Sequence, residues 1–170
     1  MGFAILFCHI LRPMKYFSHL QTAVQLTEQY GGSQPFGDHA REFFRANKKY
    51  GATHRRQIMQ LCYAGFRTGR AMNDATAEER ILTGLFLCST EPNVLLEHLK
   101  PEWNDKTGLS LEEKCSTINV QFSIDNIFPW KELLSEGIDH GAYCRSFLVQ
   151  PDLYLRLRPG KEEWVKGRLK

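Results

Sequence analysis

Two helical patterns follow one another in residues 53–88, which read THRRQIMQLCYAGFRTGRAMNDATAEERILTGLFLC. In the first pattern, apolar and small residues recur every three or four positions from Ile58 to Gly69, as on a helix with one buried face. In the second pattern, Thr76 and Glu79 have the spacing of a capping box, and an apolar run follows them. The stretch therefore predicts two helices with buried faces.

The helical periodicity continues on both sides of this stretch. A helix is predicted over residues 16–30 and is ended by the Gly31–Gly32 pair, and another runs from about Ser33 to Lys49. Thr53 is predicted to cap the helix that follows. Further helices are predicted after Pro92, after a second capping box at Ser110 and Glu113, and less regularly over residues 129–136 and 138–148.

The pattern changes after Pro151. Residues 152–158 read DLYLRLR and alternate apolar and polar side chains, which predicts a strand. A Pro159–Gly160 turn and a helix over residues 161–170 are predicted to follow. The sequence thus predicts a mainly α fold, a helical bundle followed by the first strand and helix of an α/β module.

The length and composition fit one domain with room for a small appendage. A chain of 170 residues can bury about 70% of its unfolded surface, enough for one core. Its five cysteines are widely spaced and form no C-x-x-C pair, so free thiols and a cytoplasmic location are predicted.

The first fifteen residues are of doubtful status. Residues 2–11 are nearly all apolar, but they are too few to span a membrane, and no signal-peptide pattern accompanies them. Met14 is an alternative translation start, so residues 1–15 are treated as an N-terminal extension. No membrane partner is predicted.

The common catalytic motifs are absent from the sequence. It has no glycine-rich phosphate loop, no H-E-x-x-H pair of metal ligands and no G-x-S-x-G nucleophile elbow. No catalytic, cofactor-binding or metal-binding residue is therefore predicted in this chain.

A basic block between Arg41 and Arg70 indicates a polyanionic partner. It holds eight Lys and Arg residues and one acid, although the net charge of the chain is only +3. Basic side chains that neutralise phosphates release counterions, which favours binding to nucleic acid. A solvated charged face is the alternative, and Arg67 and Arg70 are less informative because cations are favoured near a helix C-terminus. The predicted contact residues are Arg45, Lys48, Lys49, Arg55 and Arg56.

A resemblance makes the prediction more specific. Residues 49–58, KYGATHRRQI, followed by Tyr63 and Arg67, resemble the helical N-terminal domain of the Nop/Sun (RsmB-type, Fmu) RNA methyltransferases. Residues 150–158, QPDLYLRLR, resemble the strand that opens the small module before that family's catalytic domain. His54 stands where the family usually has Asp.

The resemblance implies a NusB-like RNA-binding domain over residues 16–148 and the start of an RRM-like or ferredoxin-like module over residues 150–170. The whole protein would methylate carbon 5 of a cytosine in ribosomal RNA with S-adenosylmethionine. The family's catalytic cysteines, in Pro-Cys and Thr-Cys contexts, have no counterpart here, so the catalytic domain would be a separate, C-terminal part of the protein. Arg156 and Arg158 are predicted as a second RNA-binding patch.

Two alternatives stay open from the sequence. In the first alternative, the chain is a stand-alone NusB-like RNA-binding factor of the antitermination type. In the second alternative, it is a helical protein-interaction module. As a protein-interaction module, the chain would bind a basic partner through the acidic residues of the segment 71–140.

Overall fold

The computed structural model describes residues 16–118, 121–150 and 158–168. All regular secondary structure within these ranges is helical, so the prediction of a mainly α fold is confirmed. The α-helices are α1 (16–28), α2 (Phe36–Ala46), α3 (Ala52–Arg67), α4 (Ala77–Cys88), α5 (Val94–Leu99), α6 (Pro101–Asn104), α7 (Leu111–Thr117), α8 (His140–Ser146) and α9 (Glu162–Lys166). Short 3₁₀ helices cover Ile124–Ile127 and Lys131–Leu133.

Helix α2 ends three residues before the predicted position. The backbone N–H and the side-chain amide of Asn47 both donate to the Phe43 carbonyl, at 3.0 and 2.9 Å, and so end the helix. The predicted Thr53 cap is also wrong, because Gly51 is the extended residue before α3 and no side chain caps this helix. Lys48 therefore lies in a turn between the two helices.

Helices α3 and α4 form the centre of the molecule and approach each other closely through two glycines. A Cβ at Gly84 would lie only 2.0 Å from the Ala64 carbonyl oxygen, and one at Gly65 would lie 2.9 Å from Cγ1 of Ile81. The main core surrounds this contact and includes Leu20, Leu26, Ile58, Leu61, Ile81, Phe86, Leu95 and Leu96.

Both predicted capping boxes are confirmed. The Thr76 hydroxyl accepts a hydrogen bond from the Glu79 backbone N–H at 3.2 Å, and the Glu79 carboxylate accepts one from the Thr76 backbone N–H at 2.9 Å. Ser110 and Glu113 make the same reciprocal pair at the start of α7. Each box satisfies donors that the first turn of a helix leaves without partners.

Residues 121–150 fold back onto the α3–α4 pair through a second apolar cluster. This cluster is made of Leu87, Ile127, Cys144 and Leu148, and Phe122 packs against both clusters. Gly69 has a φ of +52°, and a Cβ there would lie 2.2 Å from the Ile127 carbonyl oxygen.

The predicted α/β module is wrong. No strand occurs in the described ranges, and residues 158–168 form a turn followed by α9. A strand needs a neighbouring strand to satisfy its backbone groups, and the described residues offer none. Most of the predicted strand, residues 151–157, lies outside the described residues, as does the extension 1–15. No helix in the described part of the chain is long and apolar enough to cross a membrane.

Candidate functional site

The turn between α2 and α3 is held against α1 by Tyr50. This side chain is buried, and its hydroxyl forms a 2.9 Å hydrogen bond with the Thr22 hydroxyl. Its ring also packs against Phe44 with the ring centroids 5.7 Å apart. These contacts fix the position of the turn that carries Lys48 and Lys49.

The five predicted contact residues surround this turn, and together they are called the basic turn. Arg45 lies at the end of α2, Lys48 and Lys49 lie in the turn, and Arg55 and Arg56 lie near the start of α3. All five side chains are exposed, and none of them forms an ion pair within the described residues. An anion that bridged these side chains would relieve their mutual repulsion, because opposite charge lowers the local potential.

Arg55 is held in place by neutral partners. Its Nε donates a 2.8 Å hydrogen bond to the Tyr50 carbonyl, and its guanidinium lies 5.6 Å from the centre of the Phe44 ring. The remaining guanidinium N–H groups make no hydrogen bond within the described structure. They can donate in pairs to a phosphate.

A groove follows the exposed side of α3 and is called the α3 groove. Its smaller part, about 270 Å³, lies between α2 and α3, and its larger part, about 870 Å³, extends to the α4–α5 connection. Arg56 and Met59 line both parts, so the two are adjacent. The lining residues from α3 include Arg55, Arg56, Met59, Gln60, Tyr63 and Arg67.

Three other arginines of the basic block make contacts within the protein, and one of them, Arg41, pairs with the Asp38 carboxylate. The Arg67 guanidinium donates to the carbonyls of Phe147 and Val149, at 3.2 and 2.7 Å, and so joins α3 to the chain after α8. The Arg70 guanidinium lies 5.4 Å from the centre of a Trp130 ring. The structure therefore gives Arg67 and Arg70 a role in packing.

A second groove, of about 820 Å³, lies between α1, α4 and α6 and contains several acidic residues. Glu28, Glu78 and Glu102 line it beside the ring of Trp103. The Lys100 ammonium lies 3.6 Å from the Glu102 carboxylate and 5.3 Å from the centre of the Trp103 ring. A lysine of the protein thus already lies where an external cation would contact the aromatic ring.

The described cysteines are poorly suited to nucleophilic chemistry. Burial raises the pKa of the Cys62 thiol to about 12 and that of Cys88 to about 11. Sγ of Cys144 lies 3.5 Å from Nε2 of His140, but this nitrogen also lies 2.7 Å from the Phe128 carbonyl oxygen. Since a carbonyl only accepts, Nε2 carries a proton and cannot take the thiol proton.

The described residues contain no cluster of three or more histidine, cysteine or acidic side chains that could hold a metal ion. The second predicted patch is described only in part. Arg156 lies outside the described residues, and Arg158 is exposed in the turn before α9. No described contact joins Arg158 to the basic turn.

The prediction from sequence missed the part of the α3 groove formed by Gln60 and Tyr63. A signal was present in the spacing, because Arg56, Gln60, Tyr63 and Arg67 are separated by four, three and four residues. Such a spacing places side chains on one face of a helix.

No protein-family model, curated protein or solved structure matches this chain.

Proposed function

We propose that this chain is a helical domain that docks RNA through the basic turn. The observation that carries the proposal is a set of five exposed bases without acidic partners, held on a turn that Tyr50 anchors to α1. Contacts of this kind go to phosphates, and they position a nucleic acid without reading its sequence.

We further propose that the RNA is ribosomal and that the domain serves an S-adenosylmethionine-dependent cytosine-5 methyltransferase in the cytoplasm. This part rests on the resemblance of residues 49–58 to the Nop/Sun family. It is tested by the coding sequence that follows Lys170, where we expect a glycine-rich loop and a cysteine in a Pro-Cys context. A stop codon at that point in an intact gene would instead favour the stand-alone RNA-binding factor.

RNA docking is tested by measuring affinity as a function of salt concentration. We expect a steep fall in affinity with rising salt, because phosphate contacts release counterions. The double variant Lys48→Glu, Arg56→Glu should reduce the salt slope by about two, one for each lost phosphate contact. Neither of these side chains makes a hydrogen bond within the described structure, so the fold should persist.

The matched control is Lys106→Glu, Lys131→Glu. It changes the net charge by the same amount at two exposed lysines outside the basic turn and the α3 groove. If both double variants lower the salt slope equally, binding depends on overall charge and the basic turn is not the docking site.

The protein-interaction alternative depends on the acidic groove beside Trp103. Its support is weaker because Lys100 already pairs with Glu102 there, and Glu79 is bound in its capping box. Absence of RNA binding at low salt, together with binding of a basic peptide that Glu28→Gln weakens, would favour this alternative.

A further inference from the structure

We infer that the α3 groove holds a single-stranded stretch of RNA with one base stacked on Tyr63. The inference rests on the proposed RNA docking. It adds the class of RNA and the side chain that recognises it.

Tyr63 has the properties of a stacking platform. The residue is 46% exposed and lies on α3, one turn before the end of the helix. The Phe36 ring packs against it nearly at right angles, with the centroids 5.7 Å apart, and so restricts its movement. A ring that is already held in place loses little conformational freedom when a base stacks on it. Every base has a π-face, so such a contact tolerates many sequences.

The groove provides positive charge on both sides of this ring. Arg56 lies two helical turns before Tyr63, about 10 Å along the axis, and Arg67 lies one turn after it. The Arg67 guanidinium donates to two carbonyls and to the Gln150 side-chain oxygen, and it forms no ion pair with a carboxylate within the described residues. A backbone that follows α3 therefore meets cations before and after the aromatic ring.

The shape of the groove favours a single strand over a duplex. Its larger part, about 870 Å³, is within the range that encloses a ligand of nucleotide size. Bases in an RNA duplex are stacked on each other inside the helix, so their faces are out of reach of Tyr63. Bases in loops and single strands can be splayed out onto aromatic side chains. The Gln60 amide on the same face can hydrogen-bond to a base edge.

The test compares binding of a labelled single-stranded oligouridine of about 12 nucleotides, a usual site size, with binding of an RNA duplex of equal length. Fluorescence anisotropy is measured for the wild type, Tyr63→Phe and Tyr63→Leu. We expect Tyr63→Phe to bind like the wild type because it keeps the ring. Tyr63→Leu keeps apolar contact with Phe36 but loses the ring, and should bind the single strand about 5- to 100-fold more weakly. Its duplex affinity should not change.

Phe17→Ala is the matched control. Like Tyr63, Phe17 is a half-exposed aromatic residue, but it lies on α1 and outside the α3 groove. Its affinity should equal that of the wild type, and circular dichroism should show that each variant is folded. If the wild type binds both RNAs and Tyr63→Leu binds them equally well, the single-strand inference is overturned and RNA docking stands. If the wild type binds neither RNA at low salt, the proposed function fails as well.

Discussion

Replacement of Gly84 by alanine should destabilise the protein strongly, although alanine is the better helix former. The added Cβ would lie 2.0 Å from the Ala64 carbonyl oxygen and 2.6 Å from its carbonyl carbon, whereas real Cβ contacts essentially never fall below 3.0 Å. Both neighbours are backbone atoms of α3, so a rotamer change cannot relieve the clash. The two helices must separate by about 1 Å, which costs dispersion contacts along the whole interface.

The expected magnitude combines two opposing effects. Overpacking of a core costs roughly 1–3 kcal/mol or more, and the clash with backbone places Gly84→Ala at the upper end of that range. The gain in helix propensity returns at most about 1 kcal/mol. A net loss of about 2 kcal/mol lowers Tm by about 4–8 °C for a chain of this size.

Two other glycines make the prediction a series that calorimetry or thermal circular dichroism can check. Gly65→Ala should cost less, because its Cβ meets the movable side chain of Ile81. Gly37→Ala should be neutral or stabilising, since nothing lies within 4 Å of its Cβ in α2. A Gly84→Ala variant as stable as the wild type, or a Gly37→Ala variant equally destabilised, would refute the close-packing argument.

Two further predictions concern Arg67 and Glu79. Arg67→Leu removes the hydrogen bonds to the carbonyls of Phe147 and Val149. Hydrogen–deuterium exchange of the backbone amides around Val149, measured by mass spectrometry, should therefore become faster. Unchanged protection would show that this contact does not hold the segment. Hydrogen bonds from Thr76 lower the pKa of Glu79 below its ordinary value of 4.5. The Glu79 carboxylate therefore stabilises the fold above pH 4.5, and this stabilisation is lost as the pH falls through the lowered pKa. The Tm difference between wild type and Glu79→Gln should therefore shrink from neutral pH to about 3, and a constant difference in thermal melts would contradict this.

The sequence predicted the features that depend on neighbouring residues. Thr76 and Glu79 form their capping box as expected, because both partners lie within one helical turn. The end of α2 was wrong, because the pattern of apolar residues does not show that the Asn47 side chain binds the Phe43 carbonyl. The predicted strand was wrong for a different reason, since alternation over a few residues does not reveal whether a second strand is present to pair with it.

The sequence predicted the charged residues of the candidate site, but it did not predict the shape of the α3 groove. The exposed bases of the basic turn follow from composition, because Lys and Arg are seldom buried. The α3 groove was missed because its wall beyond α3 comes from distant parts of the chain, including Pro92 and Gln150. Which arginines face solvent and which bind carbonyls also depends on tertiary contacts, as Arg67 shows.

The hydrogen bonds of Arg67 also bear on the order in which the chain folds. They join residues 80–83 positions apart, whereas α3 and α4 are linked by residues 68–76 alone. Closing the longer loop costs about 2 kcal/mol more in chain entropy, since each doubling of loop length adds about 0.6 kcal/mol. We therefore expect the α3–α4 hairpin to form first and the segment ending at Gln150 to dock on it later. The far wall of the α3 groove is then completed late in folding, on a hairpin that already presents Tyr63.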